Sequence, residues 1–380
     1  MRTSNGDRDG TERLLYMAFE LSNSQWKLGF TIGLGQAPRR RTIPAGDLLQ
    51  VLEEIVRAKR RFKLAEEVRV VSCYEAGRDG FWLHRFLERA GVDNVVVDSS
   101  GIEVNRRARR AKTDRLDLKK LLTMLIRYHS GEQKVFPVVR VPSEADEDRR
   151  QLHRELQSLK TERTQHTNRI KGLLVGQGVR LPVKEEFLQQ LAKAQTWDGC
   201  LVGAGLRARL QREYVRLTVV NQQIKGLEAE RRDTVRSAQE TSIKMVRRLL
   251  RLKGVGLNSA WLFVMEFFSW RQFRNRREVG ALAGLTPTPH QSGDGSRELG
   301  ITKAGQGQLR AMTIEIAWGW LRFQPQSALS RWYQERFGGG NSRQRRTGIV
   351  ALARKLLIAL WRYLDTGLVP EGAVLKSRLF

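Results

Sequence analysis

Short apolar stretches fill the first third of the chain, and their spacing is that of strands. Leu14 to Phe19 reads as a buried strand closing on Glu20, and Trp26 to Ile32 reads as its hairpin partner across a Ser22-Asn23-Ser24 turn. A third short strand falls near Arg41 to Ile43. The spacing then changes: Leu48, Leu49, Leu52, Ile55 and Val56 recur at helical intervals, which predicts an amphipathic helix from Gly46 to about Lys63. Val68 to Tyr74 is again a strand, ending at Glu75; Trp82 to Ala90 is a helix stopped by Gly91; Val95 to Val97 is a strand ending at Asp98. Three strands thus terminate in a carboxylate, at Glu20, Glu75 and Asp98, and in open α/β sheets sites gather at strand ends.

The middle of the chain changes character. From about Glu144 to Val175 it is highly charged, with Leu152, Leu156, Leu159, Ile170 and Leu173 at spacings of three, four and multiples of seven, interrupted by Arg163 and His166. Leu210, Leu217 and Ile224, seven apart, mark a second long helix over roughly Leu206 to Gln239. Two long helices joined by residues 176–203 predict an antiparallel helical arm or coiled coil that also self-associates. From about Ile243 onward short helices and turns are expected, including an apolar helix from Ala260 to Phe267 and a basic amphipathic one from Arg343 to Thr366. The expected class is α/β plus all-α: an α/β domain over 1–135, a helical coiled-coil arm over 140–242 and a helical domain over 243–380.

Charge narrows the partners. The 380 residues include 68 Lys and Arg against 40 Asp and Glu, a formal net charge of +28. Such an excess favours a polyanion, through counterion release from phosphates. An anionic membrane is the rival, but no apolar run approaches the ~18–20 residues needed to span a bilayer. Met1 to Arg13 lacks the apolar core of a signal peptide. Cys73 and Cys200 are expected to be reduced, and no Cys/His spacing resembles a zinc site. A cytoplasmic nucleic-acid protein follows. Lys253-Gly254-Val255-Gly256, with Arg247, Arg248 and Arg251 before it, looks like a helix-hairpin-helix element whose free N–H groups face a phosphate. Arg39 to Arg41 and Arg343 to Arg346 read as general phosphate contacts or solvated faces, and Trp82, Trp261, Trp270, Trp318 and Trp320 as core.

Two groups of residues carry chemistry. Asp114 and Asp117 are three apart, so a helix starting near Thr113 presents both on one face. Glu20 and Glu75 at strand ends could meet them, and four converging carboxylates need a cation such as Mg²⁺. A lone Asp-x-x-Asp more often caps a helix and balances arginines; the strand-end glutamates favour a site. Arg106, Arg107, Arg109, Arg110, Lys112 and Arg115 surround them. The order of elements describes an RNase H-like fold, and Lys112 to Asp117 resembles the matching motif of the RuvC-like domain of DEDD-type transposases. The resemblance maps that family's metal-binding carboxylates onto Glu20, Glu75, Asp114 and Asp117. Glu20 stands where the family usually has Asp.

The second group is Ala283-Gly284-Leu285-Thr286-Pro287, His290-Gln291-Ser292-Gly293, Ile301-Thr302-Lys303-Ala304-Gly305 and Leu309-Arg310. A serine hydroxyl attacks phosphorus only with help from a base, a metal or fixed cations, and His290, Arg297, Lys303 and Arg310 are at hand. Gln-Ser-Gly alone would read as a surface turn. The whole stretch resembles the C-terminal domain of the IS110 family of insertion-sequence transposases, in which the matching serine is the DNA-attacking nucleophile; Gln306 replaces a frequent Asn. The resemblance covers nearly the whole chain. It implies a bacterial, nucleoid-associated DNA recombinase guided by a structured non-coding bridge RNA, assembled as a homodimer that pairs into a homotetramer, with carboxylates of one subunit facing the serine of another. Two other readings compete: a RuvC-like metal-dependent nuclease whose C-terminal domain only binds DNA, and a decayed, non-catalytic binding protein.

Overall fold

The computed structural model describes residues 13–77, 80–98, 114–132, 135–292 and 295–377, with the backbone alone at 114–116, 289–292 and 295–299. The chain divides into two units, Met1–Val141 and Pro142–Phe380.

The first unit is built on a five-stranded sheet. Strands β1 (Leu15–Glu20), β2 (Gln25–Thr31) and β3 (Arg39–Pro44) precede helix α1 (Leu48–Arg61). Strand β4 (Val70–Glu75), helix α2 (Trp82–Arg89), strand β5 (Val92–Val97) and helix α3 (Asp114–His129) follow. The order across the sheet is β3-β2-β1-β4-β5, antiparallel among the first three and parallel from β1 to β5. This mixed α/β arrangement is consistent with a DEDD nuclease-like domain. The expected Ser22 turn is present: Ser22 Oγ accepts from the Gln25 N–H at 3.3 Å.

Strand alternation sorts the side chains onto two faces. Leu15, Met17 and Phe19 of β1 and Val70 and Tyr74 of β4 pack with Val51, Ile55 and Ala58 of α1 and Leu83 and Leu87 of α2. Ala18, Val71 and Cys73 point the other way, against Leu118, Leu121, Leu122 and Leu125 of α3. Burying those four leucines stabilises the docking of α3 by about 2 kcal/mol each as an upper figure. Trp82 departs from the expected core role: it is 40% exposed, because α2 turns Leu83 and Leu87 inward instead.

In the second unit the first charged helix is broken. A short helix α4 (Glu144–Asp148), capped by Ser143, precedes α5 (Gln151–Val175). The connector holds a small helix, α6 (Phe187–Ala192), before α7 (Ala204–Ser237). Helices α5 and α7 pack antiparallel through two apolar clusters, one around Leu156, Leu159, Val220 and Ile224, the other around Ile170, Leu174, Leu210 and Leu217. Between Leu210 and Leu217 of the second cluster lies a polar layer. Glu213, itself buried, accepts from His166 Nδ1 at 2.7 Å, from Arg216 at 3.0 Å and from Arg169. His166, which interrupts the apolar spacing in the sequence, is thereby matched by an acid on the opposite helix.

The remaining elements are α8 (Thr241–Leu250), α9 (Leu257–Phe263), α10 (Arg276–Leu282), strands β6 (Pro287–Ser292) and β7 (Gly295–Ile301), and helices α11 (Gly307–Phe323), α12 (Ala328–Tyr333) and α13 (Ser342–Thr366). The expectation of helices and turns alone is corrected here: β6 and β7 form an antiparallel hairpin. The helix expected over Ala260–Phe267 starts earlier and loosens into a π-helical turn at Val264–Phe268. Trp261, Trp270 and Trp320 are buried as expected, whereas Trp318 is 49% exposed on the outer side of α11. No helix among the described residues is long and apolar enough to cross a membrane.

Candidate functional site

The sheet places two of the carboxylates. Parallel pairing of Phe19 with Tyr74 carries Glu20 opposite Glu75, at the C-terminal ends of neighbouring strands about 4.8 Å apart. Glu20 has the face parity of Ala18, and Glu75 that of Cys73, so both belong to the face that α3 covers. Helix α3 runs antiparallel to these strands. Its last residue, His129, stacks edge-on against Tyr16 near the start of β1, and the Leu121 carbonyl accepts from the Cys73 thiol at 3.9 Å. From Leu121 back to Asp117 is about 6 Å of helix, and from Cys73 on to Glu75 is about 7 Å of strand, so Asp117 lies level with the glutamates. Asp114 opens the helix one turn beyond. Lys27 is the cross-strand neighbour of Glu20.

Hard oxygen donors on one sheet face suit a divalent cation in chemistry. The described side chains do not by themselves close around one: no group of three or more acidic, His or Cys side chains among the described residues is near enough to hold an ion. Glu20, Glu75 and Asp117 therefore fit a metal only as part of a larger set, and Asp114 is the candidate to complete it. Cys73 is no competing ligand or nucleophile. It is fully buried, and burial, with the nearby Glu75 carboxylate, pushes its thiol well above the usual range. Arg106, Arg107, Arg109, Arg110 and Lys112 lie outside the described residues, as does the Arg115 side chain.

The serine sits in the hairpin. Ser292 is the last residue of β6, paired with Gly295, and His290 is paired with Arg297 two positions back. The base of the hairpin is a crossing of two chain segments, and the motif residues build it. Gly284 has φ +67°, and a Cβ there would lie 2.0 Å from the Ala304 carbonyl oxygen. Gly305 has φ +87°, and a Cβ there would lie 2.1 Å from the Leu282 carbonyl oxygen. Only glycine meets both demands, left-handed backbone and contact of main chain on main chain. The Thr302 N–H donates to the Thr286 carbonyl at 2.9 Å and the Lys303 N–H to the Gly284 carbonyl at 3.2 Å. Ala283, Leu285 and Leu309 anchor the crossing in the core.

This geometry divides the expected cations. Arg297 shares the tip half of the hairpin with Ser292. Lys303 and Arg310 lie at its base, about 17 Å of strand from Ser292. Arg310 Nη1 donates to the Lys303 carbonyl at 3.0 Å, and Lys303 is held at φ 55°, a left-handed conformation that costs about 1–3 kcal/mol in a residue with a side chain. The side chains of His290, Ser292 and Arg297 and all of Gly293 lie outside the described residues.

Other basic residues have structural partners. Arg247 donates to the Val235, Arg236 and Ala238 carbonyls, capping the C-terminus of α7, and Arg248 donates to the Leu364 carbonyl. The Lys253–Gly256 turn is enclosed. Gln324 donates to the Lys253 carbonyl, Lys376 Nζ to the Val255 carbonyl, and the Gly256 N–H to Ser259 Oγ. Gly254, at φ +86°, packs on Phe323. The two crossing glycines hold the candidate site together in a way that spacing could not reveal; their only signal was membership of the motif.

Comparison with known proteins joins the two regions. Residues 41–177 match the family DEDD_Tnp_IS110, described as a transposase, and residues 246–332 match the family described as "Transposase IS116/IS110/IS902 family". The chain is 40% identical over 376 residues to "Putative transposase y4rJ" of Sinorhizobium fredii, covering 96% of this chain and 95% of that protein. It is 28% identical over 225 residues to the "Transposase for insertion sequence element IS1328" of Yersinia enterocolitica, covering 57% of this chain and 63% of that protein.

Proposed function

The chain belongs to the IS110 family of insertion-sequence transposases, and from that premise we propose that it cuts and rejoins DNA through a phosphoserine link at Ser292, guided by a structured RNA. Membership of the family implies an enzyme that acts on DNA. The observation that carries the finer reading is the hairpin itself: a strand ends on Ser292, and its base is locked by Gly284 and Gly305, both in the family-like motif. A fixed base directs the strand that carries Ser292, and placement matters to a nucleophile, since misplacement by 1 Å can cost on the order of 100-fold in rate.

In the proposed step Ser292 Oγ attacks the scissile phosphorus. The bond from phosphorus to the leaving strand oxygen breaks, the serine proton passes to a base, and the departing oxygen takes up a proton. A hydroxyl of the other strand then attacks the phosphoserine, giving its proton to a base; the phosphodiester re-forms, the bond from phosphorus to Ser292 Oγ breaks, and Oγ takes up a proton. His290 is the near candidate for the proton, and Arg297 for the charge that gathers on the phosphate. Lys303 and Arg310 would hold DNA backbone further from the scissile bond. Mg²⁺, held by Glu20, Glu75, Asp114 and Asp117, would supply neutralisation of phosphate charge. Assembly as a homodimer and then a homotetramer on RNA and DNA would let the carboxylates of one subunit serve the serine of another, and the +28 charge suits so much nucleic acid.

A covalent-trapping assay tests this. Wild type, Ser292→Ala and Asp114→Ala are incubated with RNA transcribed from the element's flanks, end-labelled donor and target DNA, and Mg²⁺. The expected result is an SDS-resistant protein–DNA adduct that falls by on the order of 10³-fold or more in both variants. Cleavage without adduct that survives Ser292→Ala would replace the reading with a hydrolytic metal-dependent nuclease.

A further inference from the structure

The second unit carries a groove of about 1380 Å³, lined by α13, the start of α10, α12 and the base of the β6–β7 hairpin. It exceeds the roughly 300–1,000 Å³ of a small-molecule pocket. Its walls are cationic. Arg346, Arg354, Lys355 and Arg362 of α13 face Arg276 and Arg277 at the start of α10. None of these six is ion-paired with a carboxylate among the described residues, and the one acid in the described lining, Glu371, is engaged by Arg331 at 3.7 Å. Arg343 and Arg346 sit at the beginning of α13, the end where the helix dipole opposes a cation; an incoming phosphate reverses that penalty.

The floor is apolar. Leu329, Trp332, Val350 and Ile358 lie between the cations, and Lys355 Nζ is 4.5 Å from the Trp332 ring centroid. Along α13 the groove-facing positions 346, 350, 354, 358 and 362 recur every four residues, alternating cation and apolar residue. A duplex offers phosphates to such a surface but keeps its base faces stacked inside. A single strand offers both phosphates and exposed base faces, and cationic walls with aromatic and apolar contacts are how unpaired strands are held without sequence preference. Thr347 is the only hydroxyl side chain in the described lining and no Asn or Gln accompanies it, so the polar groups there are mainly cations suited to phosphate.

We propose that this groove binds single-stranded DNA, with phosphates on the cationic walls and bases over the apolar floor. Pro287, Ile301 and Lys303 at its margin are also the base of the hairpin that ends on Ser292, so a strand held there leads toward the nucleophile. The choice of DNA over RNA rests on the proposed role of Ser292; the preference for an unpaired strand does not.

The test is equilibrium binding of full-length Ser292→Ala protein, which needs no cleavage, to a fluorescein-labelled 15-nucleotide DNA of mixed sequence, its duplex and the RNA of the same sequence. The charge-reversed triple variant Arg346→Glu, Lys355→Glu, Arg362→Glu, all at exposed positions, is compared with Arg209→Glu, Arg212→Glu, Lys225→Glu on the exposed side of α7, which changes net charge equally. The groove triple is expected to weaken single-strand binding at least about tenfold and to lower the slope of log affinity against log salt by about two, from roughly 0.7 per phosphate contact. The α7 triple should stay within about twofold. Trp332→Ala should lose about tenfold and Trp332→Phe should retain most of the affinity. Equal loss in both triples, equal affinity for duplex, or preference for RNA would each overturn the proposal. An absent adduct in wild type would sink the serine reading while leaving a groove-dependent single-strand preference intact.

Discussion

The strand-end glutamates and the hairpin serine are placed by different physics. Glu20 and Glu75 need only that β1 and β4 pair in register and alternate faces, which backbone geometry guarantees once the apolar residues choose their sides. Ser292 needs two segments some twenty residues apart to cross at main-chain contact, through Gly284 and Gly305. Local periodicity thus positions one candidate site, and a tertiary crossing positions the base of the other. The second should be far less forgiving. Gly284→Ala would drive a methyl to 2.0 Å from a backbone oxygen at φ +67°, a clash that no side-chain movement relieves. We expect a loss of about 4 kcal/mol, combining left-handed strain and overpacking, and loss of the adduct. Gly29→Ala in the first sheet is the matched case: its Cβ would meet Leu122 Cδ1 at 3.1 Å, a methyl that can rotate, so about 1 kcal/mol or less is expected. Denaturant midpoints of the two variants make the comparison, and equal losses would break it.

The same distinction explains what the sequence disclosed. Strand and helix order in the first unit, its acidic strand ends and the phase of Asp114 and Asp117 were legible because alternation and the 3.6-residue repeat are local. The β6–β7 hairpin was not, since Pro287, Pro289 and Gly293 read as turn residues and only the crossing at Gly284 and Gly305 fixes the strands. Arg247 and Arg248 read as phosphate contacts because their partners, carbonyls of α7 and α13, are distant in sequence. The groove escaped for a related reason: α13 has a core face at Leu352, Leu356 and Leu360, and its second, cationic face looks like solvated surface until α10 and α12 wall it in.

Buried charge extends the comparison to the long helices. Heptad spacing predicted the apolar contacts of α5 and α7 but not Glu213, whose position follows the same spacing as Leu206 and Leu217. Burial pushes its carboxyl up, yet hydrogen bonds from His166 and Arg169 outweigh this and hold it below the ordinary carboxylate range. Its contribution is therefore present above that range and is lost as pH falls through the depressed value. Glu213→Ala should cost about 3 kcal/mol, because it strands His166 beside two arginines in the seam. Replacing Glu213 and His166 together by leucine should recover most of that loss. If the double variant is as unstable as the single one, the seam is held by something other than this pair.

The smallest expected effect is also the most specific to solution conditions. His153 on α5 is 1% exposed, and neither ring nitrogen has a hydrogen-bond partner among the described residues. Burial lowers its pKa to about 4; Glu266 opposes this, while Arg231, Lys160 and Arg154 reinforce it. The folded state thus keeps the imidazole neutral where the unfolded chain, near 6.5, takes up a proton. Stability contributed by the neutral ring is complete above pH 6.5 and falls as pH drops toward 4, by about 1 kcal/mol at pH 5.5. His84 and His129 in the first unit are also lowered by burial, so wild type should lose stability on acidification from more than one place. His153→Leu isolates the part owed to this one ring. The difference between its unfolding free energies at pH 7.5 and 5.5, from denaturant titrations, should be about 1 kcal/mol smaller than in wild type. An unchanged difference would mean that the ring is protonated, or hydrated, in the folded protein, and that this buried position tolerates charge as readily as the exposed faces do.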